Sequence, residues 1–148
     1  MIDRRETILA RLAVVIAGID GVSNGRNRGD MSDDALPAIF LHDGIEAAEE
    51  LAGLPRNAVA IDLVKLEPQI WIAATAPAET IGAVINGLRA RLVPAVLADA
   101  DLKSAVGSNG QIRYVGCAIT TEGGESREGL MEIKFSFRYV LAVSELQS

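Results

Sequence analysis

Near the end of the chain, Ile133, Phe135, Phe137, Tyr139 and Leu141 alternate with Glu132, Lys134, Ser136 and Arg138. Alternation with period two puts the large apolar side chains on one face of a strand and the polar ones on the other. Such a strand cannot stand alone. Its apolar face needs a cover and its backbone needs neighbours, so the chain must build a sheet with one buried face. The arm 130–143 has a partner in 111–121, and the loop from Thr121 to Gly129 joins them into a hairpin.

Helices supply the cover. Ile8, Leu9, Leu12, Val15, Ile16 and Ile19 fall on one helical face and predict a helix over about 4–18. Asp3 followed by Glu6 forms a capping-box pattern, and Gly18 and Gly21 mark the exit. A longer helix opens at Pro77 and Thr80, with Ile81, Val84, Ile85, Leu88, Leu92 and Val96 on one face. Pro94 is expected to kink it or end its first part. Asp101 to Val106 adds a final turn before the breaker Gly107-Ser108-Asn109-Gly110.

Between the helices, residues 20–37 are turn-rich, with a short strand expected around Val22 to Arg28 and an exposed loop after it. Ala38-Ile39-Phe40-Leu41 reads as a strand closed by Asp43-Gly44. Residues 45–58, rich in Ala and Glu, read as one helical turn or a long excursion. Val59 to Leu66 and Ile70 to Thr75 are apolar but interrupted by Glu67-Pro68. Proline has no N–H, which implies a sheet edge or a bend in one long strand. The fold expected is therefore α+β: a mainly antiparallel sheet of about four to five strands, with an N-terminal helix and one long helix packed on it. All 148 residues fit one domain.

Composition narrows the chemistry. Twenty acidic residues against 14 basic ones give a net charge of −6, a poor balance for gripping nucleic-acid phosphates or an anionic membrane. With one cysteine and one histidine, neither an intrachain disulfide nor a Cys- or His-rich metal site can form. No apolar run approaches 18 residues, so no membrane span is expected, and the amphipathic start does not read as a signal peptide.

Short motifs add little. Gly21-Val22-Ser23-Asn24-Gly25 satisfies the G-x-S-x-G pattern of a serine hydrolase elbow, but that turn needs a strand before it and a helix after it. Here a helix precedes and a loop follows, so an ordinary helix-to-strand turn is the better reading. Arg28-Gly29-Asp30, His42-Asp43 and the pair Asp99 and Asp101 each lack the partners that their chemistry demands. Trp71 with the stripe Phe135, Phe137 and Tyr139 reads as core packing, because stacking platforms sit in basic grooves. Cys117 reads as a small core residue. No catalytic residue, cofactor or metal is expected.

Several phrases, in their order, resemble the tail terminator proteins of long-tailed bacteriophages and related prophage tails. They are the opening Arg-Arg-Glu-Thr-Ile-Leu-Ala-Arg-Leu helix, Arg26-Asn27-Arg28, and Pro37-Ala38-Ile39-Phe40-Leu41-His42-Asp43-Gly44 before a charged excursion. Leu66-Glu67-Pro68-Gln69-Ile70, a helix leading to Leu102, and the closing Phe135-Ser136-Phe137-Arg138-Tyr139 complete the series. The resemblance implies an α+β structural protein of the virion tail, made in the bacterial cytoplasm and without enzymatic activity. It implies a six-fold ring that caps the tail tube, ends its polymerisation and presents the surface that joins the head. The partners implied are further copies of the chain, the tail tube protein and the head-tail connector, with DNA passing through the channel without specific binding. From loop position and charge, Arg26, Arg28, Asp30, Asp33, Asp34, Glu46, Glu49 and Glu50 are the candidates for subunit or tube contacts, and Pro68 for blunting a sheet edge. The alternatives are another neck or tail-completion protein, or a small cytoplasmic α+β ligand-binding module.

Overall fold

The computed structural model describes residues 3–27, 36–49, 61–121 and 128–142. The chain runs α1 (Arg4–Ala17), β1 (Ser23–Arg26), β2 (Ala38–Glu49), β3 (Ile61–Thr75), α2 (Ile81–Ala98), α3 (Ala100–Val106), β4 (Gln111–Thr121) and β5 (Glu128–Ala142). One five-stranded sheet has the order β1-β2-β3-β5-β4. β1 pairs parallel to β2 and every other pairing is antiparallel. The architecture is α+β, as the alternation and helical spacing predict.

α1 begins where the sequence says it should. The Asp3 side chain accepts from the Glu6 backbone N–H, and Ile8, Leu9, Leu12 and Ile16 face inward. In α2 the buried stripe is Ile81, Ile85, Leu88, Leu92 and Val96, whereas Val84, expected on that face, is exposed. α2 also runs on through Pro94 to Ala98. Pro94 is exposed, so the carbonyl that it leaves unbonded one turn earlier can turn to water and the helix need not end. By length and composition this 18-residue helix, with mean hydropathy 1.4, is apolar enough to cross a membrane. It is not an unbroken apolar run, since Asn86, Arg89 and Arg91 interrupt it. Its inner stripe packs into the domain core.

The core lies between the helices and one sheet face. Ile39 and Leu41, then Val64, Leu66, Ile70 and Ile72, then Met131, Ile133, Phe135, Phe137 and Tyr139 meet α1, α2 and α3 there. The cross-strand register explains why one face collects them all: Leu41 opposes Ile70, which opposes Ile133, and Leu66 opposes Phe137.

Two segments differ from expectation. Residues 45–49 continue β2 instead of turning helical. Pro68 lies in the middle strand of the sheet, so it blunts no edge. Its missing N–H falls on the β5 side, where no partners are made between Leu66↔Phe137 and Gln69↔Lys134, while on the other side, facing the Glu67 carbonyl, β2 shifts register between His42 and Ile45. Gly44 sits in that bulge at φ 74°. A Cβ there would run into the Glu67 carbonyl oxygen and stand 2.7 Å from the Pro68 Cα, so the bulge requires glycine.

Candidate functional site

The sheet has two unlike faces. The helices cover one. The other presents Ala38, Phe40, His42, Ile45 and Ala47 of β2 beside Lys65, Glu67, Gln69, Trp71 and Ala73 of β3. Leu130, Glu132, Lys134 and Arg138 of β5 continue this face, followed by Gln111, Arg113 and Ala118 of β4. One end of it is closed, with Ala38 fully buried and Phe40 nearly so, while the part around Ile45 and Val115 is open. Ile45 is 74% exposed and Val115 54% exposed, which makes this the prime candidate for interaction.

Open hollows score this face. One is lined by Gly44, Ile45, Lys65, Glu67, Gln69 and Lys134, and a second by Lys65, Glu67, Arg113, Val115, Ser136 and Arg138. Lys65 pairs with Glu67 at 3.1 Å and Lys134 with Glu132 at 3.7 Å. Trp71, expected in the core with the aromatic stripe, lies here instead, half-buried between Phe40 and Glu132. The stripe itself is fully buried on the helix side. The residue parity of β3 separates them: Trp71 is odd-numbered, whereas the inward residues of β3 are even.

β4 ends the sheet. Cys117, expected in the core, is exposed on this edge strand. Ile119, also directed to the helix side, is 44% exposed. The helices reach as far as Tyr114, whose hydroxyl accepts from Arg89 Nε and Nη2, both at 3.1 Å. Arg89 also lies against Cys117, and beyond it Ile119 is left open.

The residues proposed for contacts fall in several places. Arg26 at the end of β1 is held within its own chain, donating to both carboxylate oxygens of Glu6 and both of Asp43. These bonds hold the Glu6 and Asp43 carboxyls below their ordinary values and push the guanidinium up. Asn27, at φ 55°, ends the strand and accepts from the Asp43 N–H at 3.0 Å. Glu46 accepts from the Tyr139 hydroxyl on the helix side of the sheet. Glu49 is the last residue of β2, in register with Leu63. Arg28, Asp30, Asp33, Asp34 and Glu50 lie outside the described residues.

Sequence reasoning missed a second ion pair. Arg11 of α1 grips both oxygens of Asp99 at 2.9 and 2.8 Å, while Asp99 also caps α3 by accepting from the Leu102 N–H. The Arg11 hydrogen bonds hold the Asp99 carboxyl low. The Asp99-to-Leu102 spacing is a capping signal, but nothing local connects residues 11 and 99. Among the described residues, no group of three or more His, Cys, Asp or Glu side chains is placed to hold a metal ion. Gly21, at φ 75°, makes the turn into β1, which opens at Ser23, so the G-x-S-x-G phrase forms a helix-to-strand turn.

No model of a known protein family matches this chain, and no curated protein matches it.

Proposed function

We propose that this chain is a non-enzymatic structural subunit of a phage or prophage tail. In this reading it assembles as a ring that caps the tail tube, ends tube growth and offers the head-joining surface. Its partners are further copies of itself, the tube protein and the connector, while DNA passes through the ring unbound.

The observation that carries the reading is the pair of unlike uncovered surfaces. The sheet presents a broad face with mixed charges. On the other side of the molecule, Ala10, Val14 and Ala17 of α1 and Ala83, Gly87, Ala90 and Pro94 of α2 are exposed and uncharged. A ring closes when one patch meets a different patch on the next copy, so a subunit needs two dissimilar surfaces rather than one self-complementary surface. The polar hollows lack an enclosing wall, which favours a docking surface over a small-molecule site.

Native mass spectrometry over a range of concentrations, with and without purified tail tubes, tests this reading. The expected result is a species at six times the 15.6 kDa chain mass, with a central hole in negative stain. A chain that stays monomeric alone and also ignores tube ends overturns the proposal. Asp33→Lys with Asp34→Lys should weaken assembly and leave the melting temperature unchanged.

A further inference from the structure

β4 is the last strand of the sheet, and among the described residues no strand pairs with its outer edge. Roughly half the N–H and C=O groups of such a strand point away from its one neighbour and lack a ladder partner. The two ends of the sheet treat that problem differently. β1 closes the other end with only four residues, and Arg26 within it is tied to Glu6 and Asp43. The first half of β4 is blunted as well, by the exposed Arg113 and by the register shift between Tyr114 and Gly116. From Gly116 to Thr121 nothing comparable appears: Gly-Cys-Ala-Ile-Thr-Thr carries no charge and no proline. That run pairs regularly with β5, and Cys117, Ala118 and Ile119 are exposed. Arg89 reaches Cys117 from the helix side and leaves the backbone edge free.

We propose that this half of β4 pairs antiparallel with the same half of a second copy, joining the two sheets across a two-fold axis at Ala118. An open edge selects another extended strand, and three features select this one. Two chains of net charge −6 repel, so copies meet with least opposition where neither side is charged. Residues opposed across a sheet share a face, so a strand pairing with its own copy must centre on a residue, and Ala118 is the centre of the stretch 116–120. Cys117 and Ile119 both lie on the helix side, opposite Ile133 and Met131. Ile119 of each copy then opposes Cys117 of the other and covers a side chain that is 44% exposed in the single chain. Finally, the pairing closes. Once the two β4 edges meet, only the short β1 edges remain, so the sheet stops at two chains instead of growing. The contact uses an edge, distinct from the two surfaces assigned to ring closure, and does not depend on ring formation.

Sedimentation and native mass spectrometry of the intact chain test the proposal, at concentrations up to about 1 mM because a contact of this size is weak. The expected species is a dimer at twice the 15.6 kDa chain mass that dissociates on dilution. Amide exchange should slow in residues 116–120 as it forms, and Cys117 should label freely only in the dilute monomer. Ile119→Lys places a charge in the contact twice and should raise the dimer Kd about tenfold or more. Ile45→Lys makes the same change on the open sheet face and should alter the Kd by less than about twofold. A ring contact through that face responds to Ile45→Lys and not to Ile119→Lys, so the two readings fail separately. Four outcomes overturn the edge contact: a monomer at every concentration, equal losses in the two variants, exchange protection on the helices instead of β4, or protection of β4 only when tail tubes are added. Both isoleucines are exposed, and melting temperatures matching wild type will show that folding is not the cause.

Discussion

Arg26 and Asp43 face each other with two hydrogen bonds, of 2.8 and 3.1 Å, while the same guanidinium holds Glu6 at 2.8 and 2.9 Å. One side chain therefore ties the first turn of α1 to β1 and to the bulge of β2. The cluster is partly open to water, so its stabilisation is modest, and Arg26→Gln should cost about 1 kcal/mol. The sign with pH follows from the lowered carboxyl pKa values. Both groups bind fewer protons in the folded chain, so the stabilisation is present above their ordinary values of 3.8 and 4.5 and is lost as pH falls through the folded values. Melting curves of wild type and Arg26→Gln should be separated at pH 7 and draw together as pH falls below the ordinary carboxyl values and through the lowered ones.

Gly44→Ala should be among the most damaging single-methyl additions in this chain. It combines a left-handed backbone with a collision against the Glu67 carbonyl, and should cost about 3 kcal/mol or more. Gly21→Ala is the control, because its φ is 75° but nothing lies within 4 Å of the added carbon. That change should cost only about 1 kcal/mol. Urea denaturation of the two variants will separate strain from collision.

Phe137 is fully buried between the sheet and the helices, so Phe137→Ala should cost about 3–5 kcal/mol. Tyr139→Phe keeps the ring and removes only the donor to Glu46, and should cost about 1–2 kcal/mol. A near-zero value for Tyr139→Phe would mean that Glu46 finds another donor, which thermal melts of the double variant with Glu46→Gln would reveal.

Cys117 is exposed, so a thiol reagent should label it completely in the native state, at the rate seen in denaturant. Slow labelling that rises only on unfolding would place the residue in a contact.

The sequence announced whichever features depend on periodicity. The alternation at 133–139 and the helical spacing from Ile8 to Ile16 located the core, because burial of one face imposes those repeats directly. Features set by register were hidden. Trp71 and Phe135 look alike in sequence, yet the parity of their positions on neighbouring strands sends them to opposite faces. Cys117 lies on a strand like any other until the sheet order makes that strand an edge. Pro68 signalled a disturbed ladder, but only the strand order shows that the disturbance belongs in the centre of the sheet. The Arg26 cluster and the hollow of Lys65, Arg113 and Arg138 join residues distant in sequence, and no local pattern encodes such meetings.

The defect at Gly44 and Pro68 governs how this chain can vary over evolutionary time. Moving β2 by one residue would turn Ile45 and Ala47 toward the helices and bring a side chain against the Glu67 carbonyl. An insertion or deletion between Ala38 and Gly44 would carry the glycine away from the Glu67 carbonyl and is therefore costly. A single glycine thus acts as the pin that stops two long strands from slipping, and substitutions on either side of it can accumulate without changing which face each residue meets.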